Sequence, residues 1–364
     1  MELQYVPDWE NIKERIAAWW AHEDFGRCGL AVTAPKTGAP DEAPPALPEK
    51  VEDRWLDIEY LRAQNEHRMK RTFYGGESFA AWDPGSQWMY NACFVGCPVD
   101  MTETSGWIVP IIRDGELTDH DYNKIVIDPE NPWWKDSLKK HGLAVADAKG
   151  KAIPCMTTLG GAADTLAGIR GTENLLADVK DCPDYVRAFD QYLMKQWIEV
   201  HGTLYDIIKE GAQGSSAWSG FLWAPGRYYL PMCDFSYMIS TEMFADLFLP
   251  SIEMQVDYLD YALYHVDGVG AFKHVDVLCD LPKLKALQIL PGDGKPGPLH
   301  YMDTLKKVQR AGKNLHIGLP PSEVKPALEQ LSSVGLFIST RCETEEDARD
   351  LIKMAWELST PRKV

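Results

Sequence analysis

The sequence predicts an α/β protein folded as a single (β/α)8 barrel, the TIM type, with a decorated and partly helical N-terminal region. Three observations carry this expectation. From Ala144 onward, short apolar runs alternate with helical stretches of about 12–20 residues, the rhythm of parallel strands joined by crossover helices. At least six such units follow one another, and an earlier run at Leu30–Thr33 brings the set toward the eight of a closed barrel. No glycine-rich phosphate loop follows any run: GGAADTLAG after Thr158 lacks the required spacing, which disfavours an open doubly wound sheet. The chain is read as one domain, 1–364, in which 1–145 supply decoration and first elements and 146–364 the main repeats.

The elements are justified in order. In residues 9–24, Ile12, Ile16, Trp19 and Trp20 recur at helical spacing, so an amphipathic helix opens the fold. A short apolar run follows at Gly29–Ala34. Residues 35–50, rich in Pro and acid, read as an irregular surface excursion. Helical patterning returns over 51–73. Residues 74–135 then alternate turn signals with short segments. Predicted strands are Ala152–Thr158, Ala217–Leu222, Ala262–Asp267, Leu284–Leu290, Asn314–Ile317 and Gly335–Thr340. The helices between them fall at 173–211, 241–260, 273–280, 299–311, 322–333 and 343–358. Ser240 is placed to cap the helix at 241, and Glu343 to Asp347 load acid onto a helix N-terminus, where the dipole favours it.

Composition narrows the function. Lys and Arg number 37 against 54 Asp and Glu, a net charge of −17, which removes the electrostatic source of sequence-independent binding to nucleic acid or anionic lipid. The acidic N-terminus does not read as a secretory signal, and no apolar run is long enough to span a bilayer, so a soluble, cytoplasmic protein is expected. The eight cysteines form no CxxC pair and read as reduced thiols; Cys93 and Cys97 are a lone CxxxC. Thirteen Trp and fifteen Tyr read chiefly as core, with the remainder free to line a pocket for a small organic ligand.

In a barrel, reactive groups belong where strands end and loops begin. YHVDGVGAFKH places His265 and Asp267 two residues apart on one strand, hence on one side of it, with His274 a short loop later. They read either as metal ligands or as a hydrogen-bonded core histidine and a helix cap. Cys342 follows the last strand at a helix N-terminus, where a thiolate is stabilised, unless it is an inert buried thiol; Arg341 beside it can neutralise an anionic substrate. Asp234 in PMCDFSYM is a general acid or base, or a cap, with Trp218, Trp223 and Arg227 nearby as substrate-binding groups. Asp164 and Arg170 follow the LGG at 159–161, where Arg170 can hold a carboxylate, and Gln288 ends the strand LKALQIL.

From Ala144 to the C-terminus, about 60% of the chain, these pieces resemble the uroporphyrinogen decarboxylase-like superfamily of barrels. DFSYMISTEMFADLFLPSI is similar to the stretch before that superfamily's central strands. YHVDG lies where its zinc-dependent corrinoid methyltransferase branch has His-x-Cys-Gly, and STRC where that branch has a late zinc-binding Cys. The resemblance implies that His265 and Cys342 bind Zn2+, while Asp267 stands in place of a Cys and makes the metal more Lewis acidic. It also implies methyl transfer involving a small methylated or corrinoid-linked substrate, a corrinoid protein as partner, and a homodimer. Asp234 or His274 would then be the acid or base. Porphyrinogen decarboxylation is disfavoured, because Arg54, Arg62, Arg68 and Arg71 are dispersed and form no Arg-rich motif. Two alternatives stand beside methyl transfer. One is a metal-free decarboxylase or lyase, with Arg170 or Arg227 on a carboxylate and Asp234 moving the proton. The other is a non-catalytic binder of an aromatic or methylated amine in a Trp/Tyr-lined pocket to which Trp218 or Trp223 contributes.

Overall fold

Thirteen strands and their crossover helices make a mixed α/β fold in the computed structural model, which describes residues 3–85, 90–218 and 221–364. In chain order the strands are β1 (Gly29–Pro35), β2 (Thr72–Gly76), β3 (Ala81–Trp82), β4 (Val99–Met101), β5 (Gly106–Ile108), β6 (Ile153–Pro154), β7 (Ser215–Ala217), β8 (Leu222–Ala224), β9 (Tyr228–Tyr229), β10 (Tyr261–Asp267), β11 (Ala286–Leu290), β12 (Asn314–Gly318) and β13 (Leu336–Arg341). A seven-stranded sheet runs β2-β1-β13-β12-β11-β10-β9, parallel throughout except for β2, which lies antiparallel on β1. Shorter ladders continue beyond it: β3 pairs with β6 in parallel, Met156 bridges Ala217, and Met232 bridges His265. Ala262 to Val266 are all buried, as a strand covered on both faces must be.

The opening helix, Trp9–Trp20, buries Trp9, Ile12, Ile16, Trp19 and Trp20. It packs under the N-terminal ends of the strands. Trp19 Nε1 donates to Gly335 O, just before β13, and Asn314 Nδ2 at the start of β12 donates to Trp19 O. The Trp20 ring meets Tyr228 and Tyr261 at the starts of β9 and β10. With that end sealed, the C-terminal strand ends are left for chemistry.

Several predicted elements are divided. The helix expected over 173–211 is two, Thr172–Asp181 and Pro183–Ala212, because Pro183 lacks an N–H and restricts Cys182 before it. The helix expected over 51–73 breaks at Asp57, whose carboxylate accepts from the backbone N–H of Glu59 and Tyr60 and starts Ile58–Arg71. The strand expected over Ala217–Leu222 is instead a hairpin in which β7 pairs antiparallel with β8. Its chain leaves the extended region at Trp218 (φ 54), and residues 219–220 lie outside the described residues. Ser240 caps its helix as expected, accepting from Met243 N. Among the described residues, no helix is long and apolar enough to cross a membrane.

Candidate metal centre

The centre begins with β10. His265 and Asp267, two residues apart near its end, share a face, and His265 Nε2 lies 3.9 Å from Asp267 Oδ2. A third ligand-capable side chain comes from the neighbouring segment. Because Met232 bridges His265 in parallel, two further residues along each chain bring Asp234 beside Asp267. One ligand-capable atom from each of Asp234, His265 and Asp267 lies within 4.8 Å of the other two. Gly268, at φ 80, then turns the chain away; a Cβ there would come within 2.9 Å of the Tyr237 ring.

The histidine is held from behind. His265 pairs in register with Gln288 on β11, and Gln288 Oε1 lies 2.5 Å from His265 Nδ1. An amide oxygen only accepts, so Nδ1 carries a proton and Nε2 is the ring nitrogen that faces the two aspartates. Trp218 closes one side, its ring edge-on to the imidazole at 4.9 Å and its Nε1 donating to the Tyr229 hydroxyl at 3.1 Å. The same row continues to His316, in register with Gln288, whose Nε2 lies 2.8 Å from Ser339 Oγ. Burial, reinforced by His265, pushes His316 down to about 3 and keeps it neutral.

Asp234 is fixed by Asp164. Asp164 sits in the first turn of the helix Ala162–Arg170, is 3% exposed, and its Oδ1 accepts from Phe235 N at 3.1 Å. Gly161 permits this approach: a Cβ there would stand 2.2 Å from Met232 O. Burial first, and then the charge of Asp234, push Asp164 up to about 8, while the backbone N–H groups of Phe235 and Asp234 pull it back. Asp234 is raised too. Its residue is exposed, yet protein surrounds most of its carboxyl, and Asp267 adds repulsion that His265 offsets.

A cleft of about 490 Å3 opens beside this group, walled by Trp107, Ile108, Phe235 and Met238 and reaching Asp164 and Asp234. A second cavity of about 500 Å3, between Pro44–Pro45 and the helix Ile58–Arg71, shares no lining residue with it.

The other predicted site residues lie apart from the triad. Cys342 is not a member of it; burial, with Asp347 and Glu343 nearby, raises its thiol, so the acid at that helix N-terminus opposes the thiolate. Arg341 ends β13, exposed. His274 is pinned behind the Asp234–Met238 turn, its Nε2 2.9 Å from Ser236 O and its ring against Phe244. Arg170 is buried in a two-point pair with Asp178, Nε to Oδ2 at 2.7 Å and Nη2 to Oδ1 at 3.2 Å. Arg227 pairs with Asp260 before β9 and β10 begin, at the opposite end of the strands. Trp223 is buried against Trp9 and donates to Ala212 O. Of the predicted set, Asp234, His265, Asp267, Gln288 and Trp218 come together. His316, inside a strand the sequence marks as apolar, is not among the predicted site residues; a lone imidazole in NLHIG is its only sequence signal.

No family model matches this sequence, and no curated protein matches it. Among solved structures, the chain is similar to a methyltransferase from Methanosarcina mazei, with a TM-score of 0.57 at 10% identity over 95% of this chain and 98% of that one. This likeness is one of fold. A metallated homocysteine methyltransferase from Escherichia coli reaches a TM-score of 0.30 at 13% identity, over 68% of this chain and 96% of that one, too low to carry an argument.

Proposed function

We propose that this chain is a metal-dependent enzyme of the methyltransferase type on a closed (β/α)8 barrel, with Asp234, His265 and Asp267 holding a divalent ion, zinc foremost. The observation that carries this reading is the convergence of those three side chains around an imidazole whose tautomer Gln288 fixes. The donor set fits. Asp234, His265 and Asp267 would hold the ion through one imidazole nitrogen and two carboxylates, donors that a divalent ion such as zinc accepts. The ion, when bound, supplies Lewis acidity, and with carboxylates in place of thiolates it suits oxygen or nitrogen groups. The fold shared with the Methanosarcina mazei methyltransferase supports the reaction class, with a small methylated compound or a methylated corrinoid on a partner protein as substrate.

The chain's own residues do the positioning. Gln288 keeps the Nε2 lone pair toward the ion, Trp218 shields the imidazole, and Asp164 fixes the backbone that carries Asp234. The lyase alternative loses its carboxylate clamp, since both Arg170 and Arg227 are already paired with aspartates. Metal analysis of protein purified without added metal tests the proposal. One zinc per chain in the wild type and loss of it in His265→Ala are expected; less than about one-tenth occupancy together with full activity of His265→Ala refutes it.

A further inference from the structure

The cleft beside the triad offers a ligand no free charge. Among the described residues that line it, none is Lys, Arg or His, and its acids are Asp164 and Asp234. Asp164 presents nothing to a ligand: it is 3% exposed, its Oδ1 accepts from Phe235 N, and its Oδ2 has no accessible surface. Asp234 belongs to the ion in the reading above. The nearest guanidinium in sequence, Arg170, is turned away onto Asp178 and Gly115 O. Lys273, on the loop after β10, donates to Tyr237 O. A charged group brought into this cleft gives up its water and finds no partner, a costly exchange.

The walls are apolar, and their supports are fixed. Trp107 is 67% exposed and Met238 45%, the first on the hairpin of β4 and β5 and the second on the turn Asp234–Met238, with Ile108 and Phe235 beside them. The hairpin is fastened at its base, where Ile111 N and Ile112 N both donate to Ile169 O at 3.0 Å. Its tip is held by Trp55 Nε1, which donates to Thr102 O at 2.9 Å. The turn is held from behind, with His274 Nε2 2.9 Å from Ser236 O. Large apolar side chains exposed on fixed supports, around a concavity of about 490 Å3 that reaches Asp234, suit a small molecule of apolar surface.

We propose that this cleft is the substrate site and takes an uncharged compound with an aromatic body, its ring against Trp107 and Met238 and its reacting end toward Asp234. Indole and thioether both make favourable contacts with an aromatic ring. The inference rests on the metal-centre reading in one respect: the ion at Asp234 is what the reacting end meets.

Ligand-observed NMR titration of the full chain with benzyl alcohol, methanol, para-hydroxymethylbenzoate and para-aminomethylbenzyl alcohol tests it, because all carry the same hydroxyl head. Benzyl alcohol should bind at least about tenfold more tightly than methanol and at least about fivefold more tightly than either charged relative. Trp107→Ala and Met238→Ala, both at exposed positions, should each weaken benzyl alcohol at least about threefold and leave zinc content unchanged. The proposal is overturned if benzyl alcohol does not bind, if either charged relative binds as tightly, or if both folded variants keep the wild-type affinity. Should the variants not fold, the wild-type order still decides. Running the series on zinc-loaded and chelator-treated protein, with zinc content measured on each, keeps the two readings apart. Failure to hold zinc, with the benzyl alcohol preference intact, defeats the metal centre alone, whereas a flat order on zinc-loaded protein defeats the aromatic site alone.

Discussion

The contact between Gln288 and His265 offers the sharpest test of the metal centre. Both residues are 8% exposed, and Gln288 Oε1 is the acceptor that holds the proton on Nδ1. Gln288→Leu keeps the volume and removes the acceptor. The imidazole then has two options. It can keep its tautomer with a buried N–H unpaired, at about 1–3 kcal/mol, or move the proton to Nε2 and lose the lone pair that faces Asp267. Either way metal binding weakens, and loss of such an outer partner lowers affinity about 10–100-fold, equivalent to about 1.4–2.8 kcal/mol. The assay is competition for zinc against a chromophoric chelator, with circular dichroism confirming the fold. Gln288→Glu retains an acceptor and should hold zinc at least as tightly as the wild type. A Gln288→Leu protein whose affinity stays within twofold of the wild type refutes the argument that this contact prepares the ligand.

Three further outcomes follow from the same geometry. Cys342→Ser should leave zinc affinity within twofold of the wild type, while Asp234→Ala should lower it at least about tenfold; the reverse order in the same chelator competition would put the thiol in the ligand set. Arg170→Ala should destabilise the fold by about 3–5 kcal/mol in denaturant titration, because it strands the buried Asp178 carboxylate, and a loss under 1 kcal/mol would contradict that pairing. Acid should unfold the protein through His141 and His201, which burial pushes down to about 4. His141 Nε2 accepts from Thr157 N and so resists protonation. Each histidine binds its proton more readily unfolded, near 6.5, than folded, so stability is lost as pH falls from 6.5 toward 4, by about 2 kcal/mol per residue at pH 5. His141→Gln should reduce the difference in stability between pH 7 and pH 5 by about that amount.

What the sequence made legible and what it hid divide along one physical line. Periodicity is local, so the strands from β10 to β13 and their helices could be read, as could the pairing of His265 with Asp267, which needs only the two-residue repeat of a strand. Ligand sets and ion pairs depend on register between strands distant in sequence. Asp234 and Cys342 both stood out as chemically able residues beside strand ends, but only the Met232–His265 bridge shows that Asp234 is the one carried to the imidazole. Register likewise turns Gln288 from a substrate-binding group into the partner that selects the His265 tautomer. Arg170 and Arg227 looked available for a substrate carboxylate because nothing in the sequence identifies the aspartates that occupy them, one eight residues and one 33 residues away. The net charge of −17 can now be divided in the same way. Acid in the 35–50 excursion and at the helix beginning at Glu345 is solvated surface, whereas Asp164, Asp234 and Asp267 are drawn to one strand-end site from separate segments. Local acid capping a helix stabilises the fold; acid gathered by register holds its protons more tightly, as Asp164 and Asp234 do, unless an ion replaces them, and that exchange is what makes the site's function testable.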